Sequence, residues 1–307
     1  MRHTRLMIIA ALAALCADAG LAQPGKTVRL LTVGNSFSEN ATTYLPELVK
    51  AGGNTLIMGH ADLAGCSLER HITHAKAATA NPNDEAGRPY SVPVDGALKQ
   101  CSLRDILMQE KWDVVTIQQY SWISHDPSTY RPFARELRDY ISTYAPQAKV
   151  VVHETWAYRR DDPRFTSGEM TQAKMYQDLS RAYRDIAAEL GLPLIPVGDA
   201  FYAADTYGPW GYRPVAFDSR DMHYPNLPDQ THSLHVGWYW TKNESGANVM
   251  EMDGHHANAN GRYLAGCVWY EFLFGQNVEN NSYIPAEITP ADAKLLRHIA
   301  HKTVHAE

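Results

Sequence analysis

The sequence has few cysteines, and their number and spacing limit the structural roles that they can have. There are 4, of which Cys16 lies in an apolar N-terminal run. The remaining Cys66, Cys101 and Cys267 are odd in number, so they cannot all pair within the chain. Cys66 and Cys101 either form a disulfide in an oxidising compartment or remain buried thiols, and the sequence leaves both open. No Cys-x-x-Cys pair is present, which excludes a structural zinc site of that kind.

Long apolar runs and runs of like charge are also missing beyond the N-terminus. No stretch gathers five or six like charges, and the formal net charge is −6. A nucleic-acid partner usually needs a clustered basic face, so none is expected. No later run approaches the ~20 apolar residues of a spanning helix, so stable membrane insertion is not expected either. None of these features indicates an oligomeric state.

The first 22 residues have the pattern of a secretory signal. Arg2 and Arg5 give a basic start, an apolar run extends from Leu6 to Cys16, and small residues end at Ala22. This pattern predicts cleavage after Ala22 and an exported protein, periplasmic or extracellular.

The rest of the chain, residues 23–307, alternates strand-like and helix-like segments. Such alternation predicts one α/β domain, a three-layer α/β/α sandwich with a central, mostly parallel sheet. The predicted strands are Val28–Val33, Asn54–Leu63, Trp112–Ile117, Lys149–His153 and Leu194–Val197. The predicted helices are Ala41–Ala51, Leu103–Leu107, Pro132–Tyr144, Gln172–Leu190, Gly261–Phe274 and Ala291–His301.

Two stretches interrupt this alternation. Ala80–Leu98 is rich in turn-forming residues and predicts a surface loop. Residues 207–252 carry many tryptophans and tyrosines, among them Trp238 and Trp240. We interpret this second stretch as an insertion within the one domain.

The first candidate site is Gly34-Asn35-Ser36, directly after the first strand. Ligands of open α/β sheets bind at the carboxyl ends of the strands, so a serine there can point its hydroxyl into a crevice. Backbone N–H groups of a helix that starts just after it could bind an oxyanion. The alternative is that Ser36 or Ser38 only caps that helix.

The second candidate site is Asp253-Gly254-His255-His256, ahead of a predicted helix. A carboxylate that orients an imidazole allows that imidazole to take a proton from a serine hydroxyl. The residue types also allow a metal site with His232 or His235, or ordinary surface histidines.

Together the two sites resemble the SGNH, or GDSL-like, hydrolases, and more narrowly their DUF4886-type branch. Gly34, Asn35 and Ser36 match the first block of that family, and Asp253 with His256 matches its last block. The segments from Trp112 to Gln118 with Ser121, and from Thr155 to Tyr158, resemble two further blocks. The similarity extends over roughly residues 28–275.

The resemblance implies a catalytic triad of Ser36, His256 and Asp253, which needs no metal ion and no organic cofactor. It also implies an oxyanion hole formed by the backbone N–H groups of Ser36 and Gly65 and by an amide side chain. The usual asparagine of the third block is absent, and Gln118 stands in its place, with Gln119 as the alternative. Residues in or beside the matching segments are further candidates for substrate contacts: Asn35, Gln119, Trp156 and His255. Trp238 and Trp240 of the insertion are candidates because aromatic faces suit stacking on sugar rings.

Export and the aromatic insertion favour a carbohydrate O-acetylesterase that acts on an acetylated polysaccharide or oligosaccharide. The alternatives are a non-catalytic carbohydrate-binding protein on the same fold and an envelope polysaccharide O-acyltransferase. A glycosidase using Asp218 and Asp221 needs those carboxyl groups ~5–9.5 Å apart across a cleft. A metal hydrolase would use His232, His235 and His255.

Overall fold

The computed structural model describes residues 25–94 and 96–306. The predicted signal segment, residues 1–22, lies outside them. The strands are β1 (Thr27–Gly34), β2 (Thr55–Asp62), β3 (Tyr90–Val94), β4 (Ala97–Cys101), β5 (Val114–Ile117), β6 (Lys149–His153), β7 (Leu194–Ile195), β8 (His235–Lys242) and β9 (Asn248–Ala257). The helices are α1 (Ser36–Thr42), α2 (Leu45–Ala51), α3 (Leu68–Ala80), α4 (Leu103–Gln109), α5 (Phe133–Tyr144), α6 (Gln172–Leu190), α7 (Val197–Thr206), α8 (Ala259–Phe274) and α9 (Pro290–Val304).

A five-stranded parallel sheet forms the centre of the molecule, with strand order β2-β1-β5-β6-β7. Its central strands consist mainly of buried apolar residues, as expected when helices cover both faces. The crossover from β1 leads outward to β2, and the next returns past β1 to β5. Right-handed crossovers therefore place α1 and α2 on one face and α3, α4 and α5 on the other. The predicted three-layer α/β/α architecture is confirmed.

The strand order also decides where a ligand can bind. β1 lies between β2 and β5; the connection from β1 leads to β2 on one side, and the later connection from β2 returns to β5 on the other side. A crevice opens at such a switch point, outside the carboxyl ends of the strands. The segments that follow β1, β2 and β5 therefore meet at one edge of the sheet.

Three parts of the sequence prediction need correction. The helix predicted from Ala41 is two short helices, α1 and α2, and the first already begins at Ser36. The loop predicted over Ala80–Leu98 holds strand β3 of an antiparallel hairpin with β4. Helix α7 was not predicted. It begins at Val197, the residue at which the predicted strand was expected to end.

Residues 207–252, interpreted from the sequence as an insertion, contain β8 and the first half of β9. These two strands form a second antiparallel hairpin. The hairpin carries the chain back to the sheet edge at Ala257, just before α8.

Cys66, Cys101 and Cys267 are buried free thiols. The second of the two alternatives for Cys66 and Cys101 is therefore the one observed. Within the described residues, no helix combines the length and the apolarity needed to span a bilayer.

Candidate active site

Asn35 fixes the turn that carries Ser36. Its Oδ1 accepts hydrogen bonds from Phe37 N (3.0 Å) and Gln118 Nε2 (2.7 Å). Its Nδ2 donates to the carbonyl oxygen of Cys66 at 3.0 Å. Asn35 thus caps α1 and joins it to the loop after β2. A side chain at Gly34 would collide with Ser38 Oγ, so the preceding position needs glycine.

A bulge at the end of β9 explains how Asp253 and His256 can act together. In a regular strand, residues three apart point to opposite faces. Here His235 pairs with Ala257 and Gly237 pairs with Asp253, so β9 holds extra residues opposite β8. Such bulges bend a strand and redirect its side chains. The irregularity brings the carboxylate and the imidazole to the same side.

The hydroxyl, the imidazole and the carboxylate form one hydrogen-bonded chain. Ser36 Oγ lies 2.9 Å from His256 Nε2, although the two residues are 220 positions apart. His256 Nδ1 lies 2.8 Å from Asp253 Oδ2. Asp253 Oδ1 accepts from the backbone N–H of His256 at 3.0 Å. The three residues predicted from sequence are within hydrogen-bond reach of one another.

The electrostatics of Asp253 suit a carboxylate that remains charged. Burial by itself raises the pKa of a carboxyl group. At Asp253 the hydrogen bonds from His255 and His256 outweigh burial and hold the pKa well below its ordinary value. The charged carboxylate can therefore orient the His256 ring and stabilise its protonated form.

Ser36 and Gly65 both border a cleft of about 290 Å³, whose other lining residues are Asn35, Phe37, Ala64, Tyr120, Ser121, His255 and His256. Within the described residues, the backbone N–H groups of Ser36 and Gly65 donate to no protein acceptor. Gly65 has a φ of +56°, a conformation that favours glycine. The bond from Asn35 to Cys66 holds the Gly65 loop beside Ser36. Both predicted backbone donors are thus available at the cleft.

The prediction that Gln118 donates into the oxyanion hole is wrong. Its Nε2 donates a hydrogen bond to Asn35 Oδ1, and its Oε1 accepts one from Ser38 Oγ at 2.6 Å. The same oxygen lies 2.7 Å from His153 Nδ1, and burial lowers the pKa of His153 to about 3. Gln118 therefore supports Asn35 from below the cleft, because its side chain points into the buried layer.

Gln119 does not reach the substrate space either. Its Oε1 accepts from the backbone N–H groups of Leu68 and Tyr120, and its Nε2 donates to Thr129 O at 2.8 Å. It joins the start of α3 to the loop after β5. Neither Gln118 nor its alternative Gln119 therefore reaches the cleft.

Three tryptophans predicted to contact substrate have packing roles instead. Trp156 is fully buried, stacks on Phe37 with 4.3 Å between ring centroids, and donates from Nε1 to His255 O at 2.9 Å. Trp238 packs against Phe217, and Trp240 donates from Nε1 to Asn226 O at 2.8 Å. Trp156 therefore supports the site, and the other two hold the insertion together.

His255, one of the candidates for substrate contact, lines the cleft. Its Nδ1 lies 2.9 Å from Asp253 Oδ1 and 3.0 Å from Arg164 Nη2. The Arg164 guanidinium lies 4.3 Å from the centre of the Tyr158 ring and pairs with the buried carboxylate of Asp162. A positive charge thus stands beside the cleft.

The alternative metal site with His232 and His235 is not formed. His235 is buried and its Nε2 lies 3.0 Å from Ala157 O. His232 stacks on Trp210. The residues proposed for a glycosidase are also elsewhere, since Asp218 pairs with the neighbouring Arg220 in an exposed segment.

Sequence reasoning missed the residue that joins the two halves of the site. Asn40 Oδ1 accepts from the backbone N–H of Ala257 at 2.7 Å, which ties α1 to the end of β9. An asparagine inside a short helix gives no signal of such a role. The sequence analysis also did not identify Tyr120 as a residue of the cleft. The only signal for this role is its position directly after Gln119, close to the end of a strand.

Comparison with known proteins agrees with this architecture. A family model described as a domain of unknown function (DUF4886) matches residues 29–208 and 241–303. The crystal structure of a DUF4886 family protein from Bacteroides uniformis is 29% identical, with a TM-score of 0.68, and the match covers 91% of this chain and 95% of that one.

Two further structures are less similar. A candidate SGNH hydrolase from Slackia heliotrinireducens is 20% identical, with a TM-score of 0.46, over 80% of this chain and 99% of that one. The periplasmic domain of a Salmonella lipopolysaccharide acetyltransferase is 11% identical, with a TM-score of 0.37, over 58% of this chain and 69% of that one. Comparison with curated proteins gave no match.

Proposed function

We propose that this chain, which belongs to the DUF4886 family, is an exported serine esterase that removes acetyl groups from a carbohydrate. The observation that carries the proposal is the continuous contact from Ser36 Oγ through the His256 ring to Asp253, with distances of 2.9 and 2.8 Å. A hydroxyl activated in this way is the nucleophile of a double-displacement acyl transfer.

The first half of the reaction forms an acyl-enzyme. Ser36 Oγ attacks the ester carbonyl carbon while His256 Nε2 takes the hydroxyl proton. The negative charge that develops on the carbonyl oxygen is stabilised by the backbone N–H groups of Ser36 and Gly65. The bond to the alcohol oxygen then breaks, and His256 returns the proton to that oxygen. Asp253 stays ionised throughout and stabilises the charged ring.

The second half restores the enzyme. Water loses a proton to His256 Nε2 and attacks the acyl carbon. The tetrahedral intermediate collapses, the acid leaves, and Ser36 Oγ regains its proton. No step requires a metal ion or an organic cofactor.

The cleft supports a small acyl group. Its volume of about 290 Å³ is at the low end for ligand pockets, which span roughly 300–1,000 Å³. Phe37, Ala64 and Gly65 offer it a short apolar wall. The partly exposed rings of Tyr120 and His255 border the same opening and provide faces on which a sugar ring can stack.

Acetate release from a panel of acetylated glycans tests the proposal, with Ser36→Ala as the control. Nitrophenyl acetate should be turned over much faster than nitrophenyl octanoate, because the cleft is short. Glycan binding without turnover of any ester would replace the esterase by a binding protein. Acetyl transfer to an added sugar in preference to water would identify an acyltransferase.

Export has a separate test, since it depends on residues 1–22. Expression of the whole chain in a Gram-negative host should give a secreted or periplasmic protein whose mass lacks those residues. An uncleaved cytoplasmic product would contradict the proposed export, but it would not bear on the proposed reaction.

A further inference from the structure

A buried carboxylate near the C-terminal end of α8 has no lysine or arginine as counter-charge among the described residues. Glu271 lies on α8 among apolar neighbours, and its side chain is 2% exposed. Among the described residues, no lysine or arginine comes within ion-pair distance of it; its ionic partners are His301 and His305. A buried carboxylate is costly unless it is paired or binds a cation.

Two imidazoles from the end of α9 converge on one oxygen of this carboxylate. His301 Nδ1 lies 2.6 Å and His305 Nε2 lies 2.8 Å from Glu271 Oε1. The two histidines are four residues apart, so they occupy one face of the helix end. The other oxygen, Oε2, accepts from the backbone N–H of Val278 at 2.9 Å, which fixes the carboxylate plane.

A second carboxylate stands behind the first imidazole. His301 Nε2 lies 3.9 Å from Glu279 Oε2, and Glu279 Oε1 lies 2.8 Å from His298 Nδ1. Histidines that bind a metal ion commonly donate their other ring N–H to a carboxylate, which sets the tautomer of the ring. At 3.9 Å Glu279 is within ion-pair distance of His301 but makes no hydrogen bond to it, so it would have to move closer to take that role.

We propose that Glu271, His301 and His305 bind a divalent transition-metal ion of the zinc type, outside the serine site. One oxygen and two imidazole nitrogens are ligands that such ions accept, at about 2.0–2.2 Å each. Their ligand atoms already lie within 4.8 Å of one another, so small side-chain rotations open the space for an ion. Water would occupy the fourth position. The bound ion offsets the Glu271 charge and joins the last turn of α9 to α8.

The rival explanation is a purely hydrogen-bonded cluster. A protonated histidine near a helix C-terminus is itself favourable, and one such proton would also offset Glu271. The two explanations differ in whether zinc is bound with defined stoichiometry at neutral pH.

Calorimetric titration of the untagged, chelator-treated chain with zinc chloride tests the site. The wild type should bind one ion tightly, and His305→Ala and His301→Ala should weaken that binding at least tenfold. His305 is largely exposed, so His305→Ala should fold normally. Zinc at saturation should raise the Tm of the wild type by roughly 5 °C and that of His305→Ala by much less.

Two controls separate this site from other histidines. His223→Ala removes an exposed imidazole of the insertion and should leave the titration unchanged. His256→Ala disrupts the other group of two histidines and a carboxylate and should also retain the tight ion. Unchanged binding in His301→Ala and His305→Ala, loss of binding in His256→Ala, or no binding by the wild type would overturn the proposal.

Discussion

In the part of the chain that the structure describes, two groups of one carboxylate and two histidines have their ligand atoms close together, and their geometry differs at the second ring nitrogen. In the cleft, His256 Nδ1 faces Asp253, and Nε2 on the far side of the ring faces the Ser36 hydroxyl. At the end of α9, two imidazoles face the same oxygen of Glu271, and no hydroxyl among the described residues bonds to either ring. In the two proposals, the same residue types therefore serve as a proton relay in one place and as a ligand set in the other.

The comparison shows that residue composition alone does not define a histidine–carboxylate site. The carboxylate of Asp253 also accepts hydrogen bonds from backbone N–H groups on the bulge of β9. The far side of the His256 ring therefore remains free to face the cleft. Glu271 is held by the backbone N–H of Val278, and its free oxygen is shared by two rings. What lies on the far side of the ring decides the chemistry.

The largest expected effect comes from removing the hydroxyl in the first cluster. Ser36→Ala should lower kcat for nitrophenyl acetate by about 10⁴–10⁶-fold, because the variant lacks the hydroxyl that contacts His256 Nε2. Circular dichroism and Tm should match the wild type. Ser245→Ala, in the exposed turn of the β8–β9 hairpin, is the control and should be fully active. If Ser36→Ala turned over the ester near the wild-type rate, the first cluster would not be the catalytic one, and the two clusters would no longer differ in function.

Asp253→Asn should have the next largest effect. The amide cannot hold the imidazole in the required tautomer, so kcat should fall by about 10⁴-fold while KM changes little. Stopped-flow or burst measurements should place the loss in acylation and deacylation together. A loss smaller than tenfold would mean that another group orients His256.

Asn35→Asp tests whether the hydrogen bonds of the Asn35 side chain hold the oxyanion site in place. The carboxylate can still accept from Phe37 N and Gln118 Nε2, but it loses the N–H that donates to Cys66 O. The Gly65 loop should then drift from Ser36, and kcat should fall by about 10–10²-fold, somewhat less than for direct loss of an oxyanion donor.

The matched control for Asn35→Asp is Asn243→Asp, since the Asn243 side-chain oxygen only accepts hydrogen bonds in an exposed turn. That variant should keep the wild-type rate. Equal rates in both variants would show that the bond from Asn35 to Cys66 does not hold the oxyanion site.

The smallest effect on rate is expected in the second cluster. Glu271→Gln keeps an acceptor for Val278 N–H and shares no residue with the cleft, so kcat/KM should stay within about twofold of the wild type. The pair Asp253→Asn and Glu271→Gln makes the same chemical change in the two clusters. A large loss of esterase activity in Glu271→Gln, at unchanged Tm, would contradict the separation drawn between them.

The sequence predicted the elements that hold the site with good accuracy. β6 and α6 have the predicted bounds, and β2 differs by one residue at each end. These segments have strong local signals, a continuous apolar run or a helical period that ends at glycine. The β8–β9 hairpin was overlooked, although Asn243–Gly246 between two aromatic and β-branched runs is a turn signal.

Predictions about side-chain direction were less successful than those about elements. Gln118 follows a well-predicted strand, yet its amide points to Asn35 and Ser38 and not to the cleft. The tryptophans of the insertion were expected to face a ligand, but they pack against their own segment. Which face of a short segment is buried depends on neighbours that are distant in the chain.

The sequence by itself determined the alternation of strands and helices, and with it a parallel sheet whose carboxyl ends share one edge. It also determined the residue types of the site, because the blocks around Ser36 and His256 are local. Only the tertiary structure decided that these blocks meet. The bulge of β9, the bond from Ala257 N–H to Asn40 and the orientation of Gln118 all depend on contacts between distant segments. Local periodicity carries no information about such contacts, since they form only when the packed layers bring the segments together.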